Sequence, residues 1–101
     1  AMKRKDRRSQ YYKEVKRLTD NIRAEIPGRE YGSTLDHVVP VRYGFNHDIP
    51  PRLIASPGNL KWMHFNENLR KGARMTVGAI LNLQRWGYHD LADHETRKLK
   101  R

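Results

Sequence analysis

The sequence predicts a small α+β domain in which a short antiparallel strand pair lies between helices. Three observations predict it. Apolar residues recur at helical spacing near the N-terminus, two strand-like runs flank a turn-rich segment, and helix caps follow toward the C-terminus. A chain of 101 residues fits a single domain, 1–101. Hydrophobic residues make up 37% of it, so we expect a modest core.

The N-terminal part is predicted to be a basic arm followed by a helix. Residues 2–8 read Met-Lys-Arg-Lys-Asp-Arg-Arg, an arm that either contacts DNA or serves only as a solvated tail. Ser9 can cap the helix that follows. Apolar residues then recur at helical spacing: Tyr12, Val15, Leu18 or Thr19, Ile22 and Ile26. Pro27 and Gly28 are predicted to end this helix.

Two short runs predict the strands. Residues 34–41 are rich in β-branched side chains and are bounded by Gly32 and Pro40, which predicts a strand that ends at Asp36 and His37. Residues 42–58 contain many turn residues and predict a long loop, a kind of segment that often carries function. Residues 60–63 alternate between apolar and polar and predict the antiparallel return strand.

The C-terminal part is predicted to be helical. Asn66 can cap a short helix over 67–74, and Thr76 can cap the next one. In that second helix we expect these side chains to face the core: Val77, Ile80, Leu81 and Leu83 or Gln84. Trp86 and Gly87 should end it. A last helix is predicted to start near Asp90 and to run into a basic tail at 96–101.

The charge balance predicts a polyanionic partner. Lys and Arg number 21 against 11 Asp and Glu, which gives a formal net charge of +10. A field of that sign favours encounter with the phosphate backbone of a nucleic acid. The sequence has no apolar run near the roughly 18 residues of a membrane span. It also has no cysteine for disulfides, thiolate zinc sites or nucleophilic catalysis. We therefore expect a nucleic acid, and no membrane, as the partner.

The middle of the chain carries residues suited to phosphodiester hydrolysis. Asp36 and Asn68 offer oxygen ligands for a hard divalent ion such as Mg²⁺. A neutral His37 imidazole could take a proton from water, since histidine has an ordinary pKa of about 6.5. Because neighbouring strand residues point to opposite faces, we expect a bulge or bend at Asp36 and His37. Asn59 could hold that backbone through its amide. Lys71 shares a helix face with Asn68 and could meet a phosphate oxygen.

Each of these residues also has an ordinary structural explanation. Asp36 could be a turn residue, and His37 a hydrogen-bonded histidine on an edge strand. Asn59 fits turn chemistry, and Asn68 could start a helix without binding anything. The functional interpretation gains from the order and spacing of the whole set.

At these positions the sequence resembles the HNH endonucleases of the ββα-metal superfamily. The shared pattern is Asp-His-hydrophobic-x-Pro, then Asn-Leu, and then an Asn on a short helix followed by x-x-Lys-Gly. Three segments match it: Leu35–Pro40, Asn59–Leu60 and Asn68–Gly72. The nine-residue step from Asn59 to Asn68 is also similar to the family's step. The resemblance covers residues 33–74.

The resemblance implies a ββα-metal core, a two-stranded hairpin plus a helix, flanked by N-terminal and C-terminal helices. It implies that Asp36 and Asn68 bind one Mg²⁺ or Mn²⁺. It also implies that His37 is the general base and that Asn59 holds the His37 segment in place. We expect five basic residues around this core to contact DNA: Lys71, Arg70, Arg74, Arg42 and Lys61.

The implied reaction is DNA cleavage that leaves a 5′ phosphate and a 3′ hydroxyl, with the helix of the core against the minor groove. Many HNH domains bind a structural zinc through Cys pairs, which this chain lacks, so we expect no structural zinc. Small proteins of this kind occur in bacteria and phages, which makes the cytoplasm of a bacterial host the expected compartment. We expect low sequence specificity, or specificity supplied by a protein partner or a homodimer.

Two other classes of function stay open. One is a catalytically inactive basic module that binds DNA or RNA. The other is a basic structural or RNA-associated protein in which the Lys and Arg arms carry the function. The complete set of Asp36, His37 and Asn68 favours an endonuclease or nickase, because a binding module has no need of a base beside a metal ligand.

Overall fold

The computed structural model describes residues 1–100, and Arg101 lies outside that range. The described residues form an α+β fold of six α-helices and one two-stranded antiparallel sheet, which confirms the general α+β class but does not test the ββα-metal core. In chain order the elements are α1 Arg4–Ile22, β1 Ser33–His37, α2 Val41–Asn46, α3 Pro51–Ile54, β2 Leu60–His64, α4 Phe65–Lys71, α5 Val77–Arg85 and α6 His89–Leu99. No helix in this part of the chain is long and apolar enough to cross a membrane.

Helix α1 begins earlier than the sequence predicted. It starts at Arg4 with Lys3 as its N-cap, so most of the expected basic arm is helical and Ser9 lies inside the helix. Lys and Arg are good helix formers, which is why a run of them extends a helix that packing has already anchored. Val15 and Thr19 form the buried stripe. The helix ends in a 3-10 turn before Pro27, because the residue preceding a proline favours extended backbone.

The two strands pair over five residues each, with Asp36 opposite Lys61 and His37 opposite Leu60. The first strand ends at His37, which confirms the predicted end at the Asp-His pair, and the backbone bends at the next two residues. The return strand is confirmed. One face of the sheet carries His37 and Trp62 and packs toward α1. The Trp62 indole donates to the carbonyl of Ile26, which follows α1 in the chain, at 2.9 Å. The other face carries Asp36 and is covered by α4.

The segment predicted as a long loop contains α2 and α3. Pro51 occupies the first turn of α3, where its constrained φ angle suits a helix start. Gly44 in α2 touches Tyr11 of α1 and Ile54 of α3 so closely that a Cβ there would lie 2.7 Å from Ile54. Tertiary packing of this kind stabilises helices too short to show a periodic apolar pattern. The loop prediction was therefore wrong for most of the segment.

Helices α5 and α6 close the other side of the core. The Thr76 hydroxyl accepts from the Ala79 amide at 3.2 Å, which confirms the predicted cap. Helix α4 instead has His64 as its N-cap, whose Nδ1 accepts from the Asn66 amide. Val77 and Leu81 were expected in the core but are 65% and 45% exposed. The buried residues of α5 are Ala79, Ile80, Asn82 and Leu83. The polar residue Asn82 is thus buried in the core, where the apolar periodicity predicted its neighbour Leu81.

The fully buried side chains come from almost every part of the fold. The central cluster joins Val15 of α1, Val39 and Ile49 from the segment between the strands, Ile54 of α3 and Leu83 of α5. The predicted basic tail at 96–101 is helical as far as Leu99, and its last residue lies outside the described range.

Candidate functional site

A cleft of about 210 Å³ runs along the free edge of β1. It is lined by Asp36 and His37 from β1, by Arg42 from the start of α2, and by Asn68 and Gly72 from α4 and its C-cap. Both predicted metal ligands and the predicted base therefore line one cleft. No residue of β2 lines it.

Asp36 and His37 reach this cleft from opposite faces of the strand. We expected a bulge or bend at these two residues, but the strand register is regular through both. The bend comes one residue later, at Val38 and Val39. A cleft at a strand edge removes the need for a bulge, because side chains from both faces of an edge strand border the space beyond it.

Asp36 is a buried carboxylate with only one of its oxygens satisfied. Its side chain is 5% exposed, and Oδ1 accepts a hydrogen bond from the Lys71 ammonium at 3.1 Å. Within residues 1–100, the buried Oδ2 has no hydrogen-bond partner. Buried polar atoms are nearly always hydrogen-bonded, so the unpartnered carboxylate oxygen can take a further partner, such as a water molecule or a cation.

Lys71 is buried and does not reach out to solvent. Its ammonium contacts Asp36 and also donates to the His37 carbonyl at 3.3 Å. The side chain is 8% exposed, so in this conformation it neutralises Asp36 and is not available to an incoming phosphate. The predicted DNA contact of Lys71 stays without structural support.

Asn68 is oriented by a neighbouring threonine. Its amide nitrogen donates to the Thr34 hydroxyl at 2.8 Å. That bond uses the nitrogen and leaves the carbonyl oxygen Oδ1 for another partner. An amide oxygen and a carboxylate oxygen are ligands that Mg²⁺ accepts, with water completing the coordination.

The donor set fits a hard cation held by few protein groups. Among residues 1–100, no cluster of three or more His, Cys, Asp or Glu side chains could hold a metal ion. One carboxylate and one amide make a sparse site of the kind that suits Mg²⁺ or Mn²⁺, whereas zinc prefers several nitrogen or sulfur ligands. The unpartnered Oδ2 of Asp36 is the observation that favours a cation here.

His37 is held from the side of α1. Its Nε2 lies 3.0 Å from the hydroxyl oxygen of Thr19, a residue that is itself buried. Burial lowers the pKa of His37 below its ordinary value of 6.5, although the charge of Asp36 opposes this shift. The nearby cations Lys71 and Arg23 lower the pKa further. The imidazole is therefore neutral at pH 7 and can accept a proton.

Asn59 ties together three parts of the backbone. Its side chain is fully buried, and Oδ1 accepts from the Val39 amide at 2.8 Å. Its Nδ2 donates to the carbonyls of Val39 and Ile54 at 3.1 and 2.8 Å. The Asn59 carbonyl also accepts from the Val38 amide at 2.8 Å. These bonds hold the bend that follows His37.

The remaining predicted DNA contacts lie on different sides of the molecule. Arg42 is exposed and lines the cleft. Arg70 is exposed on α4, and Arg74 donates to the Lys71 carbonyl at 3.1 Å. Lys61 is exposed on the strand face that carries Asp36. Of these residues, only Arg42 borders the cleft directly.

Comparison of the chain with protein-family models, with curated proteins and with solved structures finds no significant match. Any function must therefore be argued from the motif residues and from the geometry of the cleft.

Three supporting residues were not identified from the sequence as part of the site. Thr19 holds His37, and Thr34 orients Asn68. Asn82 of α5 donates to the Asn59 Oδ1 at 2.9 Å. Thr19 and Asn82 share a recognisable pattern, since each is a polar residue on an otherwise apolar helix face. Thr34 carries no such pattern.

Proposed function

We propose that this chain is a divalent-metal-dependent DNA endonuclease or nickase of the HNH type. The observation that carries the proposal is the cleft at the edge of β1, where Asp36, His37 and Asn68 meet. The order of the elements supports it, because the second strand of the antiparallel pair leads directly into a helix that covers the Asp36 face. The HNH resemblance implies a strand pair followed by a helix.

Asp36 and Asn68 would hold the cation through Oδ2 and the amide oxygen. When bound, a divalent cation stabilises negative charge on the phosphate and on the leaving 3′ oxygen. Lys71 supplies a buried positive charge beside the Asp36 carboxylate. Its second bond, to the His37 carbonyl, holds the strand end in place.

His37 is the proposed general base. Its neutral imidazole takes a proton from the attacking water as the water oxygen bonds to phosphorus and the bond to the 3′ oxygen breaks. The leaving oxygen is then protonated from solvent, which gives a 5′ phosphate and a 3′ hydroxyl. The Thr19 hydroxyl lies 3.0 Å from Nε2, so Nε2 already has a hydrogen-bond partner and Nδ1 is the nitrogen left to take the proton in this proposal.

A second candidate is a basic DNA- or RNA-binding module without catalysis. The buried ion pair between Asp36 and Lys71 favours it, because this carboxylate already has a cationic partner. The net charge of +10 would supply binding in either case. The two candidates differ in one expectation. Only the nuclease should cleave DNA in a reaction that requires a metal ion and His37.

The deciding experiment incubates supercoiled plasmid with the protein and Mg²⁺ or Mn²⁺, with EDTA as the metal-free arm. We expect nicked or linear product from the parent, none in EDTA, and a loss of at least a hundredfold in the His37→Ala variant. His89→Ala, which removes an exposed histidine of α6, is the matched control and should cut like the parent. An intact plasmid across metals, with DNA binding retained, would establish the binding module instead.

A further inference from the structure

A second and larger groove lies between α1 and α2. Its volume is about 520 Å³, and four cationic side chains line it: Arg4, Lys5, Arg8 and Arg42. We call these the groove cations. Tyr12 and Asn46 also line it, and the Tyr12 side chain is 38% exposed. The groove thus combines positive charge with an accessible aromatic ring.

The groove cations lack acidic partners. Within residues 1–100, none of them forms an ion pair. Two acidic residues of α1 are already paired elsewhere on the helix, Glu14 with Arg17 and Asp20 with Lys16 and Arg23. Unpaired cations facing one concave surface create a positive potential that attracts an extended polyanion.

Part of the groove is held in position before any ligand binds. The Arg4 guanidinium donates to the Asn46 side chain at 2.9 Å and lies 4.9 Å from the centre of the Phe45 ring. Phe45 in turn makes an edge contact with Tyr11, whose hydroxyl donates to the Ile49 carbonyl at 2.6 Å. A preorganised cation loses less side-chain entropy when it binds a phosphate.

The groove and the cleft share Arg42. This side chain lines both, so one cation connects the cleft at the edge of β1 with the groove cations on the N-terminal turns of α1. An anionic chain whose phosphate lies in the cleft would find the next cations along this path.

We propose that the α1–α2 groove binds the phosphodiester backbone of the DNA segment that flanks the cleaved phosphate. This inference rests on the proposed nuclease function only in saying that the flanked phosphate is cleaved. Binding of the backbone in the groove does not depend on catalysis. Side-chain contacts to phosphates carry little sequence information, so the groove positions DNA without selecting its sequence.

The first test measures duplex DNA binding in EDTA, where no cleavage occurs, at several salt concentrations. In the Lys5→Ala/Arg8→Ala variant two phosphate contacts are lost, and the slope of log affinity against log salt should become shallower by about 1.8. Between 50 and 200 mM salt the parent should then lose roughly tenfold more affinity than this variant. An unchanged slope would overturn the proposal.

The matched control is Arg52→Ala/Arg97→Ala, which removes the same charge at exposed positions of α3 and α6 outside the groove. It should keep the parent's slope. If the slope of log affinity against log salt becomes equally shallow in both double variants, binding reflects net charge alone and the groove is not a DNA-binding site. All four positions are exposed, and urea unfolding checks that each variant folds like the parent.

The second test uses the absence of cysteine from the sequence. A single cysteine from Ser9→Cys, in the groove, should form a disulfide with DNA that carries a thiol on its backbone. A cysteine from Gln84→Cys, exposed on α5, should not. Equal crosslinking at both positions would overturn the proposal.

The two proposals can fail separately. The plasmid could stay intact while the groove variant shows a weaker salt dependence of DNA affinity and Ser9→Cys crosslinks to DNA. That result would support DNA binding in the groove and exclude the nuclease function. The plasmid could instead be cut while the groove variants and their controls show the same salt dependence and the same crosslinking. That result would support the nuclease function and show that DNA binds to another surface.

Discussion

Asp36 and Lys71 form a buried ion pair in which the carboxylate is only half satisfied. Removing two charges from water costs several kcal/mol per ion, and a single good contact rarely recovers that cost in full. The pair is therefore weak evidence for stability. In the proposed function its role would be to place a carboxylate beside the cleft, with Oδ2 left for the cation.

Replacing Lys71 by Met should make protein stability depend on metal. Without metal the variant leaves an uncompensated buried carboxylate, and we expect the free energy of unfolding to fall by about 3–5 kcal/mol. Mg²⁺ should recover part of this loss, so the urea midpoint should rise more on adding Mg²⁺ than it does for the parent.

Two further variants control that measurement. Lys61→Met removes an exposed lysine directly opposite Asp36 in the sheet and should change stability little. The double variant Asp36→Asn/Lys71→Met has no buried charge at this site, so it should regain stability and lose its response to Mg²⁺. A response that persists in the double variant would place the cation elsewhere.

Thr19 should matter for catalysis without touching the substrate. In Thr19→Val the His37 Nε2 loses its partner, and we expect cleavage to slow by about tenfold, part of the 10²–10⁴ that a positioned base contributes. Thr19→Ser keeps the hydroxyl and should recover most of the rate. A merely structural role would lower stability and leave the pH profile of the active fraction unchanged.

That pH profile provides the second measurement. The hydroxyl of Thr19 stabilises the protonated imidazole by accepting from it, so its loss should lower the pKa of His37 and move the acid limb to lower pH. If the Thr19→Val variant is slow but its acid limb stays in place, Thr19 does not act through His37.

The pH dependence of the parent follows from the direction of the His37 shift. Burial lowers the pKa of His37 below its ordinary value of 6.5, against the opposing charge of Asp36. A general base works only when deprotonated, so activity should be present at neutral pH and fall as the pH drops through that lowered pKa. Cleavage rates between pH 5 and 8 measure it, and a flat profile would exclude His37 as the base.

At the scale of elements, the site depends on helices outside the motif. Helix α1 supplies Thr19, and α5 supplies Asn82, which braces Asn59. The motif residues could be predicted because their spacing follows the local chain. Their partners could not, because a hydrogen bond between residues 18 or 23 positions apart depends on how helices pack, and periodicity does not report packing.

The short helices α2 and α3 illustrate the same limit. Their sequence is full of turn residues, yet contacts with α1 make them helical. Helices α1, α2 and α3 pack closely against one another at Gly44. A larger side chain at this position would overlap its neighbours. In Gly44→Ala the new methyl would collide with Ile54 and with the Tyr11 hydroxyl.

We therefore expect Gly44→Ala to lower the free energy of unfolding by about 1–3 kcal/mol, measured by urea denaturation. Gly78→Ala is the matched control in α5, because a methyl there would make only ordinary contacts, the nearest at 3.4 Å from Val38. That change should be neutral or stabilise by up to about 1 kcal/mol, since alanine is the better helix former. Equal effects of the two substitutions would contradict the tight contact at Gly44.

At the scale of the whole molecule, charge and site were both visible in the sequence, but their spatial relation was not. The net charge of +10 predicted a polyanionic partner without saying which surface meets it. The structure joins the cations of α1 to the cleft through Arg42, a residue far from Arg4 and Arg8 in the chain. The proposed chemistry stays a prediction, carried by three residues of the motif, Asp36, His37 and Asn68.

Because the cations of this surface would meet the DNA backbone, binding should discriminate little between sequences. Two duplexes of equal length and unrelated sequence should compete with each other within a few-fold in EDTA at moderate salt. A preference of a hundredfold or more for one of them would indicate direct contacts to bases. Competition binding with a labelled duplex measures this.

The bond between Thr19 and His37 also makes the site sensitive to the state of the N-terminus. The motif occupies residues 33–74, so a chain cleaved after α1, or one whose α1 has come loose, would keep every motif residue. Its base would nonetheless lose the hydroxyl that orients it. Damage that spares the motif should thus still slow the proposed cleavage, and proteolytic nicking between α1 and β1 that releases α1 should lower the rate at least as much as Thr19→Val does.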